Sequence, residues 1–237
     1  GDPQARSEMT YDVQGRLKTV KDPKGDFTTN FYNEGTDETG LVTSVQYPGL
    51  TGLEKFTYTR TGLLKTHKQP GSLQGVVTTN EYDDRYRLVK TTFPNPGTGD
   101  HGPTTITRSY DPNGNLINEW DELLRRTTFT YDVLNRPTKT TRPDQSFQTV
   151  SYDANGNVLG VTDWKSVATN YTYDALDRIS EVRRPDNLRI CYGYDPNGNR
   201  TQVKEIRLGE NCDTAARVTT YTYGPLNRMR TTTAPAP

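Results

Sequence analysis

Apolar and polar positions along this chain alternate in short bursts and never settle into a helical stripe. Phe56-Thr57-Tyr58, Phe129-Thr130-Tyr131, Tyr171-Thr172-Tyr173, Tyr192-Gly193-Tyr194 and Tyr221-Thr222-Tyr223 each place two aromatics two positions apart. A period of two belongs to a strand with unlike faces, here one aromatic and one Thr-rich, and both residue classes favour strands. Each burst runs into a turn signal of the Asp-Pro-Asn-Gly kind, where Asp bonds back to the backbone and Gly accepts a positive φ. An apolar residue returns six places after the tyrosine at Leu17, Leu64, Leu88, Leu116, Val158, Ile179 and Met229, and a second strand starts there. It ends in another turn signal, such as Asp22-Pro23-Lys24-Gly25 or Pro143-Asp144-Gln145-Ser146. Two strands and two turns fill about 21 residues, so each repeat is predicted to be a β-hairpin.

Aligned on tyrosine, the repeats begin Tyr11-Asp12, Tyr82-Asp83, Tyr110-Asp111, Tyr131-Asp132, Tyr152-Asp153, Tyr173-Asp174 and Tyr194-Asp195, with weaker copies at Tyr32, Tyr58 and Tyr223. Gly15, Gly114, Gly156 and Gly198 stand four places after their tyrosines, at the turn. The tyrosine spacings are 21, 26, 24, 28, 21, 21, 21, 21 and 29, so a 21-residue repeat carries inserts, near 33–40, 94–103 and 208–217. The organisation is read as a single array of about ten hairpins over residues 1–237, from Tyr11 to Met229. Asn-Gly-Asn repeats alternate with Leu-Asn-Arg or Leu-Asp-Arg repeats, which suggests a 42-residue period and two hairpin environments. The expected fold is all-β, one long curved or spiralling antiparallel sheet. The alternative is a five-bladed propeller, because four strands in 42 residues also fit a blade.

Composition changes this picture in two ways. Hydrophobic residues make up only 30% of the chain, so 15 Tyr must supply much of the apolar area. Lys plus Arg equals Asp plus Glu at 29 each, and this balance removes the general attraction for nucleic acid or anionic lipid. No run of apolar residues is long enough for a membrane span. The start, Gly1-Asp2-Pro3-Gln4, has neither Met nor the apolar core of a signal peptide, so the chain is expected to be an excised or processed piece.

Catalytic chemistry finds little purchase. Asp12, Asp83, Asp111, Asp132, Asp153, Asp174 and Asp195 occupy equivalent places, whereas an acid or base catalyst needs one special environment; a turn-forming role is expected of them. His67 and His101 are the only histidines, lie far apart and carry no motif, so no metal site or triad is expected, nor any cofactor. Cys191 and Cys212 are the only cysteines, and a disulfide tying the last insert to the preceding hairpin stands beside the alternative of two free thiols. Exposed aromatics, Trp164 and Tyr171 above all, are candidates for a carbohydrate-binding face, against the plainer reading that they pack the sheet. Asn170-Tyr171-Thr172 and Asn199-Arg200-Thr201 match the N-glycosylation pattern.

The Tyr-Asp-x-x-Gly-Arg-Leu pattern, seen in Tyr11-Asp12-Val13-Gln14-Gly15-Arg16-Leu17 and its later copies, resembles the RHS/YD-repeat family over nearly the whole chain. The resemblance implies a hairpin sheet that forms part of a hollow shell, as in bacterial toxin complexes, polymorphic toxins and the teneurins. It implies a non-enzymatic scaffold, secreted or at the cell surface, that encloses toxin cargo or serves adhesion. The family's aspartyl self-cleavage element has no recognisable match in the sequence, so any encapsulation or self-cleavage is expected to belong to a larger parent. Expected partners are the remaining repeats or cargo of a larger parent, glycans on an exposed face, and a second copy paired through open strand edges.

Overall fold

The computed structural model describes residues 6–32, 39–71, 76–94, 103–185, 188–206, 211–215 and 217–235. The inserts expected near 33–40 and 94–103, with His101, lie largely outside the described residues, as do residues 208–210 and 216 of the insert expected near 208–217. The described chain is twenty strands with one short 3-10 turn, Pro225–Asn227. It divides into two lobes, one of residues 1–111 and 118–126, the other of residues 112–117 and 127–237.

The first lobe holds β1 (Glu8–Tyr11), β2 (Leu17–Lys21), β3 (Phe27–Tyr32), β4 (Val42–Gln46), β5 (Glu54–Tyr58), β6 (Leu64–Lys68), β7 (Thr78–Tyr82), β8 (Leu88–Phe93) and β9 (Thr104–Tyr110). β10 (Leu116–Trp120) contributes its first two residues to the second lobe and the rest to the first. The second lobe continues with β11 (Arg126–Tyr131), whose first residue belongs to the first lobe, β12 (Pro137–Thr141), β13 (Phe147–Tyr152), β14 (Val158–Thr162) and β15 (Ala168–Tyr173). It closes with β16 (Ile179–Arg183), β17 (Arg189–Tyr194), β18 (Arg200–Ile206), β19 (Arg217–Tyr223) and β20 (Met229–Thr233).

Within each lobe every strand pairs antiparallel with the next, from β1 to β9 and from β11 to β20. This meander corrects the propeller alternative. Four-stranded blades would break the ladder after every fourth strand, yet β4 pairs with β5 through Ser44 and Lys55, and β8 with β9 through Lys90 and Thr107. In the second lobe β12 pairs with β13 and β16 with β17, so the ladder continues across every such boundary there too. Glu119 to Arg126, which could pass for a helical turn in sequence, is the end of β10 and a hairpin connection into β11.

The two ends of a hairpin are built alike but joined differently. At the tyrosine end the Asp N–H donates to the carbonyl four residues on, as from Asp132 to Arg136 at 3.0 Å, and the αL residue's N–H donates back to the Asp carbonyl, as from Asn135 at 3.0 Å. The opposite end repeats this pair of bonds at Asp22, Asp121 and Asp163. Among the described residues only the tyrosine end carries a bulge. Tyr173 faces Ile179 while Thr172 faces Glu181, leaving Ser180 as the extra residue, whereas at the opposite end Thr162–Ala168 and Gly160–Asn170 stay in register.

The core is thin. Among the described residues only Val45, Val182, Cys191 and Ile206 are buried apolar side chains, and Glu181 is a buried carboxylate. Most strand positions are half-buried, as in β9 and β10, while turn-tip residues such as Val13, Val133 and Leu226 stand in solvent. Stability must therefore come from contacts repeated hairpin by hairpin, in the manner of a repeat protein, and little from one central core.

The fourth position after the tyrosine is left-handed whichever residue fills it: φ is +96° at Gly156 but +61° at Asn135 and +58° at Asp177. Gly156→Ala meets no close neighbour, since a Cβ there would lie 3.7 Å from an Arg136 nitrogen, so its cost is conformational. It is expected to destabilise the second lobe by about 1 kcal/mol in urea unfolding. Leu124, at φ +59° and largely exposed in the turn after β10, should show the reverse, with Leu124→Gly neutral to stabilising.

Candidate functional site: the junction between hairpins

The motif residues converge on the junction where one hairpin meets the next. Its base is the aspartate. Asp174 Oδ1 accepts the backbone N–H of Leu176 and of Arg178 at 2.9 and 3.0 Å, and its Oδ2 accepts Arg178 Nε at 2.7 Å. Asp12 with Arg16, Asp83 with Arg87 and Asp132 with Arg136 repeat the arrangement. Asp153 and Asp195 replace the arginine with Asn157 and Asn199. A carboxylate that accepts several N–H groups is favoured in its charged form. The side-chain bond from Arg178 and the backbone N–H beside it hold Asp174 below the ordinary aspartate range, against the opposing pull of burial. Asp83 is lowered in the same way by Arg87, and Asp12 by the backbone N–H of Arg16 and then its side chain, again against burial.

Arginine then reaches across to the next hairpin. Arg136 Nη1 donates to the Asp153 carbonyl at 3.1 Å, Arg178 Nη1 to Asp195 at 3.2 Å, and Arg87 Nη1 to Asp111 at 3.2 Å. The same guanidinium groups lie over the next tyrosine, 4.4 Å from the rings of Tyr152 and Tyr194 and 4.6 Å from Tyr110. Arg16 sits 4.1 Å above Tyr32 in the same manner.

Tyrosine reaches back. Tyr173 OH donates to the Val158 carbonyl at 2.8 Å, Tyr194 OH to Ile179 at 2.9 Å and Tyr152 OH to Pro137 at 2.9 Å. Tyr32, Tyr58, Tyr82, Tyr110, Tyr131 and Tyr223 make the same bond to Leu17, Val42, Leu64, Leu88, Leu116 and Arg200. Apart from Leu116, whose pairing lies outside these two ladders, each acceptor is the residue opposite the preceding repeat's tyrosine, at the bulge. A bulge disrupts the ladder locally, and a buried backbone carbonyl needs a donor. The phenol of the next hairpin supplies it.

A third contact distinguishes the two repeat types. Asn155 and Asn157 both donate to Asp177 Oδ1, at 3.0 and 2.7 Å, and Asn113 and Asn115 both donate to Asn135 Oδ1, at 3.0 and 2.7 Å. Asn199 donates to Asn227 at 3.0 Å. The Asn-Gly-Asn turn thus donates to the left-handed Asn or Asp of the following turn, and that turn's Arg136 or Arg178 donates to the next. The 42-residue period is this alternation of donor and acceptor. Gly114, Gly156 and Gly198 mark the donor turns.

Trp164 lies half-buried in the turn after β14, with Arg142 stacked 3.8 Å over its ring. Tyr171 is half-buried in β15 opposite Val182, and the structure does not bring it together with Trp164 into one cluster. Cys191 and Cys212 are disulfide-bonded, with 5.8 Å between their Cα atoms. His67 Nε2 lies 2.6 Å from Glu54 Oε1 and stacks on Phe56 at 5.0 Å, and Tyr47 OH donates to Glu54 Oε2 at 2.7 Å. Sequence reasoning missed that cluster, because Tyr47 lies between repeats and follows no period.

Comparison with known proteins agrees with this architecture. The RHS Repeat family profile matches residues 110–146 and 152–189. The crystal structure of TcdB2-TccC3-Cdc42 is 21% identical with a TM-score of 0.69, covering 97% of this chain and 13% of that one. TcdB2-TccC3 alone gives 20% identity, a TM-score of 0.69 and the same coverages, 97% and 13%. The Photorhabdus luminescens Tc holotoxin pore carrying TccC3-D651A gives 21% and 0.67, with 97% and 13% covered. The chain therefore spans about an eighth of these solved chains, at 13% of their length. No curated protein matches it.

Tyr173→Phe keeps the ring and removes only the donor to Val158, so it is expected to cost about 1 kcal/mol in urea unfolding. Arg178→Lys keeps the charge but cannot hold Asp174 and the Asp195 carbonyl at once; its Tm should fall nearly as far as that of Arg178→Ala. The junction also sets an acid limit. Carboxyls lowered in the folded state contribute stability that is complete above their unfolded value, near pH 4, and lost as pH falls through the lower folded values. Thermal melts should hold level from pH 7 to about 5 and drop below about 4, and Asp174→Asn should flatten that drop.

Proposed function

We propose that this RHS-repeat chain is a non-enzymatic wall segment of a secreted or surface protein, a stretch of hairpin sheet that encloses or displays other parts of a longer polypeptide. The observation that carries the reading is the equivalence of the junctions. Tyrosine, aspartate and arginine or asparagine do the same mechanical work at hairpin after hairpin, and no copy is singled out for chemistry. Asp12, Asp83, Asp132, Asp153, Asp174 and Asp195 of the repeat turns, like Glu181, are held below their ordinary values, the state of a structural anion and the opposite of a general acid raised for proton donation. The likeness to Tc toxin chains supports a toxin-associated parent, whose cargo is the partner this reading implies. Among the described residues no helix is long and apolar enough to cross a membrane.

A wall built from equivalent hairpins tolerates loss of a whole pair. Deleting residues 132–173 removes β12 to β15 and joins Tyr131 to Asp174, which restores an intact Tyr-Asp turn. The shortened chain is expected to remain folded, with a urea m-value reduced by roughly a fifth, as in other quasi-one-dimensional repeats. Collapse of the fold on this deletion would sink the wall reading, and so would turnover in a broad hydrolase screen abolished by a single Asp→Asn change. Binding on a glycan array lost with Trp164→Ala would instead favour a carbohydrate-binding module.

A further inference from the structure

We propose that Cys191, Cys212 and Glu181 form a redox-gated site for a thiophilic divalent cation of the zinc class, closed by the disulfide in the oxidised chain and opened by reduction. The two sulfurs and the carboxylate oxygen lie within 4.8 Å of one another, the one such group among the described residues. Cys191 and Glu181 are exposed by only 4% and 8% in a protein that buries very little else. β16 and β17 place Glu181 directly opposite Cys191, and Glu181 Oε2 faces Cys212 Sγ at 3.9 Å.

A zinc-class ion needs ligands at about 2.3 Å for sulfur and about 2.0–2.2 Å for carboxylate oxygen. With 5.8 Å between the cysteine Cα atoms, the sulfurs can part to that spacing by side-chain rotation. A cavity of ≈ 290 Å³ lined by Gln202, Lys204 and Asp213 opens beside the group and has room for a water as fourth ligand. The charges around it suit a thiolate centre. Arg189 and Arg183 donate to Glu181 Oε1, Arg183 Nη2 lies 3.4 Å from Oε2, and Lys204 Nζ donates to the Cys212 carbonyl at 2.8 Å. These cations favour thiolates over thiols, and a divalent ion with two thiolates and one carboxylate carries a net charge of minus one, which the arginines offset. The steps balance. A dithiol supplies two electrons and two protons, leaving as its own disulfide, and the metal then displaces both thiol protons as two metal–sulfur bonds and one metal–oxygen bond form.

The test is cobalt titration of the intact chain, reduced with dithiothreitol and desalted without air. Reduced protein should bind one equivalent of Co²⁺ with a sulfur-to-metal charge-transfer band that one equivalent of Zn²⁺ abolishes, and oxidised protein should show no band. Cys191→Ser should lose the band, and Glu181→Gln should keep it while weakening affinity at least tenfold. If Glu181→Gln fails to give the wild-type circular dichroism, Glu181→Asp takes its place. Absence of the band from reduced wild type, or a band of equal intensity in Cys191→Ser, would overturn the site; unchanged affinity on altering Glu181 would overturn its third ligand.

Discussion

Everything regular in this protein depends on one hydrogen bond, from a tyrosine hydroxyl to a backbone carbonyl in the hairpin before it. The bulge at the tyrosine end gives each hairpin its twist and turns a carbonyl away from the ladder. A neighbour's phenol satisfies that carbonyl, so the local distortion and the joining of hairpins are one device. This explains why the residue is tyrosine. Phenylalanine would fill the same space and leave the carbonyl without its donor, whereas a serine would be too short to cross from the adjacent hairpin.

The aspartate and arginine make the device stiff. Asp132 or Asp174 fixes its turn through two backbone N–H groups, which sets the position at which the arginine side chain departs. The guanidinium group, held by that carboxylate at Nε and in Arg178 also at Nη2, meets the next turn's carbonyl through Nη1 and lies over the next tyrosine. Each contact alone is modest, since exposed ion pairs and cation–π contacts are worth about 1 kcal/mol or less. Repetition makes them sufficient where buried apolar side chains are few.

Much of the fold was legible in the sequence, because a two-residue alternation interrupted every 21 residues by a turn signal has few other solutions. The sequence is compatible with a propeller for a physical reason: alternation gives strands and their order, but the pairing of β4 with β5 is a contact between hairpins, which spacing alone does not reveal. The junction was legible only in part. Asp at the turn could be read from turn chemistry, but the destination of the tyrosine hydroxyl depends on a bulge that shifts register by one residue, and no residue type marks it. The alternation of Asn-Gly-Asn with Leu-Asp-Arg is visible as a pattern, while its cause, side-chain bonds from Asn155 and Asn157 to Asp177, joins residues 20 and more apart that no local rule connects.

Tyr11 shows what the junction is worth to a single side chain. It belongs to the first described hairpin, and no carbonyl of an earlier one stands within reach among the described residues. Its hydroxyl turns to Met9 Sδ at 3.8 Å, and the residue is 58% exposed, while the later repeat tyrosines, bonded to a carbonyl of the preceding hairpin, are half-buried. The aspartate of the same repeat is unaffected, since Asp12 binds Gln14 and Arg16 as its counterparts do. The turn's contacts are thus complete without an earlier hairpin, while the tyrosine's burial goes with a carbonyl of its neighbour. Stability in such a chain accrues at the interfaces, one hairpin at a time, and the interface is directional: each hairpin offers a carbonyl forward and a tyrosine backward.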